Sequence, residues 1–238
     1  GHQHVHRCAH AELGLQLVQA VAQAARQLGA VGGALLHEIE GVDGPHVWVT
    51  GRPVGRAVLN ADRAAARSRF GIAPDAECLL VMGGSQGART VNLAAVEALA
   101  ERPGRDFDVI HVSGSRDYEE LRERLESAPH GERYTLLEYE PDMGDGIAAS
   151  DLALARSGAS VFELAALGRA AVLVPYPYAT GDHQSANANW MAAAGAAVVV
   201  PDSELDAERL LAEVGSILAD PVRLEAMSVA SKSLARPD

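Results

Sequence analysis

From about Val47 onward, short apolar runs alternate with stretches of helical length along the chain. The runs predict strands near 78–82, 107–112, 134–138, 151–155, 170–175 and 197–200. The stretches between them predict helices near 88–101, 116–127, 142–149, 159–167, 183–193 and 204–219, with a last helix near 221–234. Leu79-Leu80-Val81 and Ala171-Val172-Leu173-Val174 are apolar at every position. Unbroken runs of this kind mark strands covered on both faces. Strand and helix in strict alternation predict right-handed βαβ units, hence an α/β fold with a doubly wound, Rossmann-like parallel sheet. Residues 1–46 follow another pattern, with an alanine-rich helix expected over 11–28 and a weak strand over 30–36.

Composition changes this picture little. Hydrophobic residues make up 48% of 238, enough for a substantial core and too many for general disorder. The net charge of −12 argues against nucleic acid as the main partner, because phosphate backbones want clustered Lys and Arg. Lysine occurs once, at Lys232, amid abundant Arg and Ala, a bias that reflects a GC-rich genome more than a function. Of the two cysteines, Cys8 and Cys78, the second opens a buried strand and reads as a reduced core thiol. No run approaches the ~18 apolar residues of a membrane helix, and no secretory signal is visible. The chain starts Gly1-His2-Gln3-His4 without an initiator Met, which suggests a fragment or a processed form. Histidines at 2, 4, 6 and 10 would line one edge of an extended segment and could hold a metal, although a frayed terminus is the plainer reading.

Three segments carry candidate chemistry, and all are expected at the C-terminal ends of strands, where open α/β sheets bind ligands. The first is Gly83-Gly84-Ser85-Gln86-Gly87-Ala88, a strand–turn–helix junction that presents backbone N–H groups to a phosphate. It lacks the Lys-Ser/Thr ending of a P-loop and the Gly-x-Gly-x-x-Gly spacing of a dinucleotide fingerprint, which disfavours a nicotinamide-dependent oxidoreductase. The second runs from Arg156-Ser157-Gly158-Ala159 to Gly168 and sets Glu163 in the first turns of a helix, where a carboxylate can accept two hydrogen bonds from a cis-diol. The third, Gly181-Asp182-His183-Gln184-Ser185, crowds polar side chains at a helix start suited to reading sugar hydroxyls. Singly, each has a plainer reading: a tight turn, a solvated Glu163, an Asp182 N-cap.

In order and spacing, GGSQGA, the YEPDM loop at 139–143, RSGASVFELAALG and PYPYATGDHQSANA together resemble the MurG family. These are glycosyltransferase family 28 enzymes with a GT-B fold. They transfer N-acetylglucosamine from UDP-N-acetylglucosamine to lipid I, forming lipid II in peptidoglycan synthesis. The resemblance covers about 50–235 and implies that 50–238 is the C-terminal, UDP-sugar donor-binding domain, with 1–49 a remnant of the acceptor domain. It implies that Ser85, Gln86 and Gly87 hold the diphosphate, with Ala159 at a helix N-terminus near the phosphates. Glu140 (by its backbone) and Met143 would border the uracil, Glu163 would hold the ribose hydroxyls, and Asp182, His183 and Gln184 would contact the N-acetylglucosamine. It further implies lipid I as acceptor, through the first domain, and a peripheral place on the inner face of the cell membrane.

Several positions depart from the family pattern. Thr50-Gly51-Arg52-Pro53-Val54 has Arg52 where the TGNPV hinge has Asn, and His111-Val112-Ser113-Gly114 replaces H-Q-T/S-G. Many members carry one more residue between the positions of Arg156 and Glu163, which bears on the register of Glu163. His37-Glu38-Ile39-Glu40-Gly41-Val42-Asp43-Gly44 resembles the family's HEQNAVPG stretch, but its GGTxGH loop has no counterpart here. The catalytic base is accordingly unassigned, with His183 and His37 the nearby candidates. Little or no transfer is expected from these residues alone, and exposed apolar surface would favour self-association. No Asp-x-Asp motif lies near the site, so neither a metal nor a cofactor is expected. A non-catalytic UDP-sugar-binding module is the alternative to a transferase.

Overall fold

Six short runs rich in Val, Leu, Ile and Ala form a single parallel sheet. They are β1 (Cys78–Met82), β2 (Asp108–Val112), β3 (Tyr134–Leu137), β4 (Leu152–Ala155), β5 (Ala170–Leu173) and β6 (Ala197–Val199). The order across the sheet is β3-β2-β1-β4-β5-β6. Every neighbouring pair is parallel. The computed structural model describes residues 52–83, 88–179 and 182–235. The readings at 11–28 and 30–36, at Cys8 and the N-terminal histidines, the domain division at 49/50, and Ser85, Gln86 and Gly87 lie outside the described residues.

Among the described residues the helices are α1 (Arg56–Leu59), α2 (Arg63–Phe70), α3 (Arg89–Val96), α4 (Tyr118–Ser127), α5 (Met143–Ala149), α6 (Ser160–Ala166), α7 (His183–Ala193), α8 (Ala207–Leu218) and α9 (Pro221–Ser233). A π-helical turn, Glu97–Glu101, continues α3, and a 3-10 turn, Asp202–Glu204, precedes α8. Alternate residues of each strand serve opposite layers, as the pleat requires. Leu79, Val81, Val109, Leu152, Leu154 and Val172 pack under α3 and α8. Cys78, Leu80, Met82, Ile110, Ala153 and Leu173 pack under α5, α6 and α7. Burial of Cys78 pushes its thiol up to about 12, as befits an inert core residue.

Two helices ahead of the sheet, α1 and α2, are not visible in the hydrophobic pattern. Helix α2 reads Arg-Ala-Ala-Ala-Arg-Ser-Arg-Phe and carries no broad apolar stripe. Its ends are nevertheless well defined: the Asp62 side chain accepts from Ala65 N, and Gly71 closes it at φ +70°. Arginines dock it. Arg67, only 3% exposed, donates to the carbonyls of Ala149, Ala73, Pro74 and Ala76 and to Asp151 Oδ2. Arg63 joins Asp151 and the carbonyl of Ser150 at the end of α5. Helix α1 lies so close to α5 that a Cβ on Gly144 would stand 2.7 Å from Val58 Cα. No described helix is long and apolar enough to cross a membrane.

Candidate functional site

The strand order β3-β2-β1-β4-β5-β6 switches its winding between β1 and β4, the point at which open α/β sheets form a ligand crevice at the C-terminal ends of the strands. Register brings these ends level: Met82 pairs with Ala155, and Ala155 with Leu173. The described C-terminal ends of β1, β4 and β5 therefore lie level on one edge of the sheet.

After β4 the chain turns through Arg156-Ser157-Gly158-Ala159 into α6. The head of α7 holds this turn. Ser157 Oγ donates to the Gln184 carbonyl at 2.7 Å, and the buried Asn187 Nδ2 donates back to the Ser157 carbonyl at 2.9 Å. Ala159 stands exposed at the N-cap position of α6 with no side-chain cap. Glu163 follows on the same helix, half-buried. Among the described residues its carboxylate accepts no hydrogen bond. Burial pushes its carboxyl upward, and the Arg52 guanidinium opposes that shift. A half-buried carboxylate on this helix has the chemistry to accept hydrogen bonds from a diol.

Asp182, at the N-cap position before α7, lies in the left-handed region, at φ +53° and ψ +24°. For a residue other than glycine that is a strained backbone, of a kind that clusters at ligand sites. It does not cap the helix in the usual way; its Oδ1 accepts from Ser185 Oγ at 2.6 Å. His183 opens α7 next to it. Gln184 turns its Oε1 to the backbone N–H of Tyr176 at 2.9 Å, which leaves its amide N–H2 for other acceptors. Asp182, His183 and Gln184 thus sit beside the 156–159 turn, whereas Glu140 and Met143 stand at the other end of this edge, after β3.

The Glu140 side chain is committed elsewhere. It accepts from Arg69 Nη2 at 2.7 and 2.9 Å and from the Asp142 N–H at 2.8 Å, which pins the loop to α2 and leaves its backbone as the part free to face a ligand. Met143 starts α5 and packs on the sheet layer of Leu80. Among the described residues no group of three or more His, Cys, Asp or Glu could hold a metal ion.

One constellation escaped the sequence reading. Asn92, in the first turns of α3, is buried, and its Nδ2 donates to the Ser113 carbonyl at 3.0 Å and to Asp117 Oδ2 at 2.8 Å. Those two acceptors fix the amide orientation, so Asn92 Oδ1 faces His111 Nε2 at 2.9 Å and that nitrogen carries the proton. His111 Nδ1 then accepts from the Tyr134 hydroxyl at 2.7 Å. Burial holds His111 down at about 3, so the ring is neutral. This relay ties the start of α3, just past the glycine turn, to β2 and β3. The His111-Val112-Ser113-Gly114 run was the available signal.

The family model of the glycosyltransferase family 28 C-terminal domain matches residues 78–238. The chain is 41% identical over 196 residues to the UDP-N-acetylglucosamine–N-acetylmuramyl-(pentapeptide) pyrophosphoryl-undecaprenol N-acetylglucosamine transferase of Chlorobium limicola, a match covering 81% of this chain and 52% of that protein. The protein of the same name from Prosthecochloris aestuarii is 42% identical over 193 residues, with 81% and 52% covered. Among solved structures, MurG of Acinetobacter baumannii superposes with a TM-score of 0.63 at 30% identity, over 75% of this chain and 51% of that one. The chain spans about half the length of the curated relatives it matches. On the family match and the six-stranded parallel sheet that carries it, this chain belongs to glycosyltransferase family 28 and contains the family's C-terminal domain.

Proposed function

We propose that residues 50–238 form the donor-binding half of an inverting hexosyltransferase, which takes UDP-N-acetylglucosamine and delivers N-acetylglucosamine to lipid I. The observation that carries this reading is the joining of the 156–159 turn to the head of α7 beside the β1/β4 crevice. That joining sets a carboxylate for a diol and a polar helix start for a sugar on one edge. The names of the relatives support the donor and the acceptor.

In this assignment Ser85, Gln86 and Gly87 cradle the diphosphate, and Ala159 lies close to it. Glu163 holds the ribose hydroxyls. The Glu140 backbone and Met143 border the uracil. Asp182, His183 and Gln184 meet the N-acetylglucosamine. Backbone N–H groups at the start of α3 stabilise the departing UDP without a metal. The acceptor lipid places the working protein at a membrane surface.

Calorimetry with UDP in EDTA tests this reading. Saturable binding is expected without a divalent cation, and Glu163→Ala is expected to weaken it by about 1–3 kcal/mol, the cost of removing a charged hydrogen-bonding partner. Equal affinity for the two proteins would remove Glu163 from the site. Binding that appears only with magnesium would contradict the metal-free account.

A further inference from the structure

Aromatic residues are only 4% of this chain, and tyrosines number five. Three of the five are exposed: Tyr139, Tyr176 and Tyr178. All three stand in loops at the C-terminal edge of the sheet, after β3 and β5. Among the described residues the exposed tyrosine rings all lie on this edge, and rings left in water in so aromatic-poor a chain point to a ligand surface.

The pair after β5 is preorganised. Tyr176 and Tyr178 meet edge to face, with centroids 5.6 Å apart and planes at 72°. Tyr176 is 45% exposed and Tyr178 is 82% exposed. Behind Tyr176 lies the Arg156 guanidinium, 5.5 Å from the ring centroid. Arg156 is itself fixed by the Val174 carbonyl at 3.2 Å and by Asp202 at 2.5 Å, the latter an ionic contact rather than a directed hydrogen bond. The Tyr176 backbone is held by Gln184 Oε1, and the Ala179 N–H donates to the Tyr176 carbonyl at 3.2 Å. Pro175 and Pro177 stiffen the intervening chain.

We propose that Tyr178, braced by Tyr176, is a stacking wall for the C–H face of the donor's N-acetylhexosamine ring. The inference rests on the donor-site reading above. A pyranose with equatorial substituents carries hydroxyls around its rim and bare C–H groups on its faces, so it needs polar groups at the side and an aromatic plane above. The rim groups are present: Gln184 touches Tyr176 directly, and Asp182 is two residues before Gln184. Strand order places the wall at the sugar end of the ligand. The Glu140 loop follows β3 and the tyrosine loop follows β5, with β2, β1 and β4 between them. Four strand spacings separate the two loops by about 19 Å. An extended nucleoside diphosphate sugar spans that order of distance, with its diphosphate over the β1/β4 crevice.

The test measures affinities of the full chain for UDP and for UDP-N-acetylglucosamine with Tyr178→Ala, Tyr178→Phe and Glu163→Ala. Tyr178→Ala is expected to weaken UDP-N-acetylglucosamine about 3–10-fold while leaving UDP unchanged, and Tyr178→Phe to keep both affinities, because the ring and not the hydroxyl stacks. Glu163→Ala is expected to weaken both ligands alike. If UDP binds and Tyr178→Ala leaves the ratio of the two affinities unchanged, the wall is overturned and the donor site stands. If neither ligand binds the unsubstituted chain, both fall together.

Discussion

Replacement of Arg67 by alanine is expected to remove about 3–5 kcal/mol of stability, enough to unfold a marginal domain. Arg67 is nearly fully buried and serves four backbone carbonyls and the Asp151 carboxylate. Truncation would strand all of these at once. Asp151 also accepts from the Cys78 N–H at the start of β1, so the loss reaches the first strand of the sheet. Arg63→Ala is the control. Its side chain is 42% exposed, and solvent screening should hold its ion-pair contribution to about 1 kcal/mol. Urea denaturation of the three proteins measures the difference. A loss at Arg67 no larger than at Arg63 would show that apolar packing alone docks α2.

Acid is expected to destabilise the chain well above the carboxylate range, through His111. Its folded value is held down to about 3 against an ordinary 6.5. The unfolded state therefore binds more protons across that window, and stability falls as pH drops through it. The full cost approaches about 5 kcal/mol, and about 2 kcal/mol should be lost between pH 6.5 and pH 5. A His111→Gln variant should be less stable at neutral pH but lack this component of the slope. Identical slopes for the two proteins in that interval would mean that His111 is hydrated and free to protonate.

Strands β1, β4 and β5 were legible because parallel strands buried on both faces are apolar at every position, and β1 appears at 78–82 as expected. Helices α3 to α9 were legible from periodicity to within a few residues. Helix α2 was not, because arginine hydrogen bonds to distant carbonyls hold it, and no local pattern reports a partner 82 residues away. Its caps, Asp62 and Gly71, were the overlooked signal. At the site, motif order put the loops after β4 and β5 on one edge, and the structure joins them through Ser157 and Asn187. Two features needed coordinates. The Glu140 carboxylate is turned away toward Arg69, and the Asp182 backbone is left-handed with its side chain on Ser185 instead of a helix N–H. The Asn92–His111–Tyr134 relay joins three elements, and the sequence offered only the His-Val-Ser-Gly run as a hint.

The most direct test of the central claim, that the C-terminal edge of the sheet at the β1/β4 crevice receives a UDP-sugar, is amide hydrogen exchange with and without UDP-N-acetylglucosamine. The account predicts slowed exchange in residues 83–90, 138–143, 156–163 and 176–187, with α2, α9 and the N-terminal ends of the strands unchanged. Protection confined to α8 and α9, or no ligand-dependent protection under saturating donor, would contradict it.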